Sequence, residues 1–419
     1  MTTDAAAPSA ARAALPLRVC FVVRSLDTGG AERQLVELVR GMPPAEFDWT
    51  VLTFYGGGAL ERELDGLPNA RVRCLGKSGR WDTAGFLVRL VREVRRARPD
   101  VVHGSQGVAN EAALLAGRLL RRPVIWRLGA SDMDFTLYDW SLAAIFRMGA
   151  RLSPFPDAIV VNSCAGFAFH VAQGWSDRRM TVVPNGFDTE RFTRTLDGRR
   201  RLRAEWGIPE DAVLVGLVAR LDPIKDHETF LVAATELADR CPTMRFVCIG
   251  DGVPAFRNGL QQRAEELGLG DRLIWAGECA RMVDAYSSLD IACLTSISEG
   301  LPNVIGEAMS CEVSCVVTDV GDCARVVGDT GIVVPRQSPS AFADAILGLA
   351  AAPASERLAL GRRARARIVE RFSRNTYVAA MSDLLRGAAT ARRRPNEFAA
   401  TRERLLAAAC HRSTPRAPV

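Results

Sequence analysis

Short apolar runs alternate with amphipathic stretches along most of the chain, and this alternation predicts a repeated β–α–β succession. Residues Arg18 to Val23 read as a first buried strand. A loop and the Gly29-Gly30 turn follow, and Ala31 to Arg40 places Leu35, Leu38 and Val39 on one helical face. Further strands are predicted at Asp48–Phe54, Arg71–Leu75, Val101–His103, Val124–Arg127 and Ala158–Asn162, with helical patterns between them. A second series opens at Ala212–Val218 and continues at Met244–Ile249, Arg272–Trp275, Asp290–Leu294, Val313–Thr318 and Gly331–Pro335. Strands separated by helix-length segments specify parallel sheets covered on both faces. The fold class is therefore α/β, with two doubly wound, Rossmann-like parallel-sheet domains.

The boundaries follow from the same pattern. Residues 1–16 are an Ala-rich lead-in without the apolar core of a secretory signal and are expected to be disordered. Residues 17–190 form the first domain and 191–375 the second, after turn chemistry at Pro184-Asn-Gly186. Residues 376–390 read as a last helix, and 391–419 as an Arg-, Ala- and Pro-containing basic tail expected to be disordered.

Composition narrows the function classes. A chain of 419 residues with 48% hydrophobic and 24% charged residues is long enough and apolar enough for two full cores. No apolar run is long enough to cross a membrane. The 11 cysteines are scattered within apolar patterns and read as small buried thiols of a reducing compartment. The net charge of +6 is gathered into arginine clusters, at residues 89–98, 118–122, 147–151, 199–203, 362–367 and 392–394. Those clusters lack the interleaved aromatics that nucleic acid would require. They fit either a basic face toward an anionic membrane or plain solvated helix faces. Tyr138 to Phe155, with Trp140, Phe146, Arg147 and Arg151, reads as a core helix or as a surface for a membrane or polyprenyl acceptor. The first strand–turn–helix lacks Gly-x-Gly-x-x-Gly, which argues against a nicotinamide dinucleotide.

The chemistry concentrates in residues 295–310, Thr-Ser-Ile-Ser-Glu-Gly-Leu-Pro-Asn-Val-Ile-Gly-Glu-Ala-Met-Ser. An apolar strand precedes this stretch and Pro302 suits the start of a helix, so free backbone N–H groups and a positive helix end open over a strand terminus. Glu299 and Glu307, eight positions apart, bracket that terminus and suit sugar hydroxyls rather than phosphates. Arg220 and Lys225 lie at another strand–helix junction, where two cations can neutralise a departing diphosphate. His103 ends a strand on the side where open α/β sheets bind ligands. Asp132 and Asp134 suit an acceptor hydroxyl or, equally, a helix N-cap.

Ser-Glu-Gly-Leu-Pro-Asn between the two glutamates resembles the signature of the retaining GT-B glycosyltransferases called family 4, and the resemblance extends over about residues 17–390. It implies two Rossmann-like domains facing across a cleft, a hinge at Val182–Asp188, and a last helix that crosses back to the first domain. It implies transfer of a sugar from a nucleotide-diphosphate donor, UDP-sugar favoured and GDP-mannose next, to a saccharide or polyprenyl-diphosphate-linked acceptor. Gly29, Gly30, Arg220, Lys225, Gly277, Glu299, Gly300, Leu301, Asn303 and Glu307 would then bind the donor. His103, Arg220, Lys225 and Glu299 would be the catalytic set, and Asp132 and Asp134 the acceptor side. Retention is implied by the resemblance alone. Asp132-Met-Asp134 lies in the acceptor half, so no metal and no cofactor are expected. Bacterial surface polysaccharide synthesis in the cytoplasm, with a peripheral contact to the inner leaflet, is the expected setting. A sugar-nucleotide epimerase, a phosphorylase on the same fold and a non-catalytic scaffold of a polysaccharide assembly complex are the competing readings.

Overall fold

The computed structural model describes residues 15–27, 29–79, 81–129 and 140–410. The first sheet holds β1 (Leu17–Val23), β2 (Phe47–Thr53), β3 (Ala70–Cys74), β4 (Val101–Ser105), β5 (Val124–Leu128), β6 (Ala158–Val161) and β7 (Met180–Val182). Its order is β3-β2-β1-β4-β5-β6-β7, and each pair is parallel. The second sheet holds β8 (Leu214–Val218), β9 (Arg245–Ile249), β10 (Leu273–Gly277), β11 (Ile291–Leu294), β12 (Ser314–Thr318) and β13 (Gly331–Val334). Its order is β10-β9-β8-β11-β12-β13, again all parallel. In each sheet the order reverses beside the first strand, which places a ligand crevice outside the carboxyl ends of the strands.

The strands read as apolar runs because both sheet faces are covered. In β1, Val19, Phe21 and Val23 enter a core shared with Leu35, Leu38 and Val39 of the helix Gly30–Gly41. Cys20 and Val22 enter the opposite core with Ala109, Ala113 and Ala116 of the helix Val108–Leu119. Burying each large apolar side chain contributes roughly 1.5–3 kcal/mol before chain entropy is subtracted. Strand β7 escaped the sequence pattern because it is three residues long with a threonine at its centre.

The chain passes between the domains twice, and the two passages are stitched together. Phe187 N donates to Phe372 O at 2.8 Å, and Arg374 N donates back to Phe187 O at 2.7 Å. The returning helix Arg374–Thr390 buries Tyr377, Met381, Leu384 and Leu385 in the first domain's core. Its Arg374 pairs with Asp188 at 2.7 Å and Glu37 at 3.5 Å.

Two expectations need correction. The tail after Thr390 does not begin as a disordered segment: Pro395–Cys410 is a helix whose Phe398, Leu405 and Ala409 are buried against the first domain. Its arginines masked that apolar stripe; Arg402, for instance, lays its guanidinium over the Phe398 ring at 4.9 Å and donates to Asp157 O. Nor are all cysteines thiols, since Cys164 and Cys410 are joined by a disulfide with 5.9 Å between their Cα atoms. Reduction, or Cys410→Ser, is expected to lower the unfolding free energy by about 2–5 kcal/mol. A urea titration with and without dithiothreitol checks this: a lower midpoint is expected, with a steeper slope as the unfolded chain loses a cross-link between residues 246 apart. An unchanged midpoint would mean that side-chain packing alone holds the helix.

Candidate functional site

At the end of β8, Asp222 accepts from Ile224 N at 3.1 Å and starts a short 3-10 turn, Pro223–Lys225. Asp226, with a left-handed φ of 48°, then caps the helix His227–Arg240. Two bonds tie this turn to the loop after β11: Thr295 Oγ1 donates to Lys225 O and Ile297 N to Ile224 O, both at 2.9 Å. The two strand-end loops therefore move as one piece, and the side chain of Lys225 is directed at Glu299, Nζ to Oε1 2.5 Å. Ser296 Oγ donates to the same oxygen at 2.7 Å. Arg220 is 68% exposed and rests on Asp222 at 2.8 Å. The two cations expected to act together are each held by a carboxylate, one in the loop and one at the surface.

The helix Asn303–Ser310 begins after Pro302 with no side-chain cap and no acidic residue in its first turn. Its first amides and dipole thus face the crevice uncompensated by a carboxylate. Asn303 turns instead to the other domain: Nδ2 lies 3.5 Å from Gly30 O, and Oδ1 accepts from Asn185 Nδ2 at 2.8 Å. A Cβ on Gly30 would stand 2.9 Å from Asn303 Nδ2, so a larger residue there would have to push the Asn303 amide aside. Gly29 is the extended N-cap of the helix behind. Gly277 ends β10 with φ 63°, and its carbonyl accepts from Gly250 N at 2.8 Å.

One turn into the helix, Glu307 accepts from Tyr286 Oη at 2.8 Å. The residue is partly open to solvent, but the protein mass around its carboxyl is dense. Desolvation pushes that carboxyl up to about 7, against the opposing pull of the Tyr286 bond and of Arg191 and Arg33. Tyr286 escaped the sequence reading, which weighed only the carboxylates; an aromatic residue with a polar tip in a buried helix was the available signal.

The first domain contributes a buried polar row at the ends of β4 and β5. His103 is 0% exposed, stacks on Phe21 at 4.4 Å and bonds Gly104 O through Nδ1 at 3.0 Å. Desolvation first, and the Arg127 charge second, push its pKa down to about 3, so the ring is neutral. Its Nε2 has no hydrogen-bond partner among the described residues. Arg127 is only 4% exposed, yet its guanidinium donates to neutral partners: Tyr377 Oη at 2.8 Å and Asn185 Oδ1 at 2.9 Å. Asn185 continues to Asn303, so one hydrogen-bonded row runs from β5 through the hinge to the helix N-terminus. A single arginine in the apolar run Val124-Ile-Trp-Arg-Leu128 is the sequence signal for this buried cation. Asp132 and Asp134 lie outside the described residues.

Comparison with known proteins agrees with this geometry. The model for Glycosyltransferase Family 4 matches residues 28–191, and that for Glycosyl transferases group 1 matches residues 212–352. A D-inositol 3-phosphate glycosyltransferase of Streptomyces bingchenggensis is 30% identical over 389 residues, covering 85% of this chain and 84% of that protein. D-inositol 3-phosphate glycosyltransferase 2 of Catenulispora acidiphila is 27% identical over 357 residues, covering 78% and 83%. Among solved structures, Anabaena Alr3699/HepE in complex with UDP superposes with a TM-score of 0.77 at 21% identity, over 88% of this chain and all of that one (100%). Sucrose-phosphate synthase from Thermosynechococcus elongatus superposes at 0.73 and 18% identity, over 88% and 98%. These matches place this chain in glycosyltransferase family 4, as an enzyme whose two parallel-sheet domains form the GT-B fold.

Proposed function

We propose that the enzyme transfers a sugar, with retention, from a nucleotide-diphosphate donor to a saccharide or lipid-linked acceptor in polysaccharide assembly. The observation that carries the donor assignment is the uncapped helix at Asn303 flanked by Glu307 on one side and the Lys225–Glu299 pair on the other. Glu307 accepts hydrogen bonds from ribose hydroxyls. The helix amides, Gly30, Lys225 and Arg220 take up the charge of the departing diphosphate, with no metal assigned to that task. Lys225 exchanges Glu299 for a phosphate oxygen, which leaves Glu299 to accept from the sugar. His103 joins the sugar side through its unpartnered Nε2 after leaving the stack on Phe21. UDP is the favoured carrier; Alr3699/HepE, solved with UDP and with UDP-glucose, supports it by fold likeness.

The acceptor half presents a surface suited to a lipid-linked acceptor. Val88, Leu115, Leu119, Met148 and Phe155 are exposed on or beside its helices Ala84–Ala97, Val108–Leu119 and Trp140–Leu152. Arg147 and Arg151 line a depression of about 340 Å³ with Phe146 and Gln173. Apolar side chains among arginines favour a peripheral contact with an anionic leaflet.

Three outcomes test the reading. A nucleoside diphosphate is expected to raise the melting temperature of the wild type and leave that of Glu307→Ala unchanged; no shift with UDP, GDP or ADP would remove the donor site. Lys225→Ala should lower kcat about 10²–10³-fold. The pH dependence has a defined sign. Between 4.5 and about 7 the folded protein keeps a proton on Glu307 that the unfolded chain releases. This group's share of apo stability therefore falls as pH rises through that window, while nucleotide affinity climbs as the carboxylate forms. Titration calorimetry across the window should show the climb, with its midpoint displaced upward in Tyr286→Phe.

A further inference from the structure

The turn Val320–Cys323, which no part of the donor reading uses, joins the two domains at a second point. Asp322 belongs to the second domain, but both of its carboxylate oxygens accept from the first. Oδ2 takes the amide of Cys164 and Oδ1 that of Ala165, each at 2.9 Å. These are the first two amides of the helix Cys164–Ala172, whose own N-cap, Ser163, serves only Gly166. A carboxylate from across the crevice thus completes the cap. Asp322 is 4% exposed, and burial raises its pKa while the two amides oppose the rise.

The same turn is seated on the loop that carries Glu299. Asp322 N donates to Gly300 O at 2.9 Å. A Cβ on Gly321, where φ is 54°, would fall 2.1 Å from Glu299 O, so the two backbones are in direct contact. On its other side Gly300 presses on the first domain: a Cβ there would fall 2.7 Å from Gly129 O and 3.0 Å from Asn162 Oδ1. The Glu299–Gly300 backbone is therefore clasped between the Asp322 turn and the strand ends of the acceptor half.

We infer that Asp322 is a positioning residue: by docking on the amides of Cys164 and Ala165 it locks the domains together and sets Glu299, and with it the donor sugar, against the acceptor half. The inference rests on the donor role proposed for Glu299. Glu307 is held by Tyr286 within the second domain, and the Asp322 carboxylate bonds to neither, so ribose binding at Glu307 is expected not to need the lock. Loss of Asp322 should then cut kcat and spare nucleotide affinity, a split that general loss of structure would not give.

The test uses the full chain with changes on both sides of the contact. Asp322→Asn keeps shape but turns one acceptor into a donor facing an amide. Cys164→Pro deletes one amide at a first helical position that tolerates proline, after an extended Ser163. It also removes the disulfide, so Cys410→Ser is its baseline. Expected are losses of about 10- to 100-fold in kcat for Asp322→Asn against wild type and Cys164→Pro against Cys410→Ser, with UDP dissociation constants within about two-fold. Unchanged kcat in both, or an equal loss of UDP affinity, would overturn the inference. Should the wild type bind no nucleoside diphosphate, the donor reading fails by itself. Small-angle scattering then decides the lock: Asp322→Asn must enlarge the radius of gyration, and an unchanged radius would overturn it.

Discussion

A buried charge has to be satisfied by bonds that exclude water, and in this protein the guanidinium of Arg127 sets that demand where the two halves meet. Its acceptors come from the hinge and from the returning helix, Asn185 and Tyr377, and Asn185 in turn holds Asn303 of the second domain. Three segments distant in sequence must therefore arrive together before the charge is accommodated. No carboxylate forms an ion pair with Arg127 among the described residues; Glu32, in the first turn of the helix Gly30–Gly41, acts on it only through space. The neutral state of His103 follows first from its burial and only secondarily from the same charge.

The electrostatics of the opposite wall are self-contained. Lys225 is held by Glu299, Arg220 by Asp222 and Arg257 by Asp251. Each of these three cations thus has a resting partner, so they do not stand together as a bare cluster of like charges. An anionic ligand gains attraction only to the extent that it improves on those carboxylates. On the proposed function, charge neutralisation would be an exchange of partners, favouring a ligand that offers both a phosphate for the lysine and hydroxyls for the glutamate.

Much of this was legible in the chain itself. The β–α alternation reports directly on parallel sheets, and Glu299, Pro302 and Glu307 sit on one strand–loop–helix because their order and spacing are local properties. What escaped was non-local. The caps formed by Asp322, the row from Arg127 to Asn303 and the Cys164–Cys410 bond all join residues far apart in sequence, which no periodicity encodes. The helix Pro395–Cys410 was hidden for a different reason: its buried residues are spaced among arginines whose stems cover apolar surface, so composition resembles that of a solvated tail. Position alone places His103 at a strand end; its full burial and its stack on Phe21 are again non-local.

The return of the chain to its first domain has a consequence for biosynthesis. Tyr377, Met381, Leu384, Phe398 and Leu405 complete a core begun by Val19 and Phe21. The second sheet, by contrast, closes within residues 214–334. On the ribosome the later domain can finish folding first, while the earlier one waits with an apolar face uncovered until the last helices emerge. Domains usually mature in the order of their synthesis. In this enzyme the core begun by Val19 and Phe21 receives Phe398 and Leu405 only after the second domain's core has received Phe372.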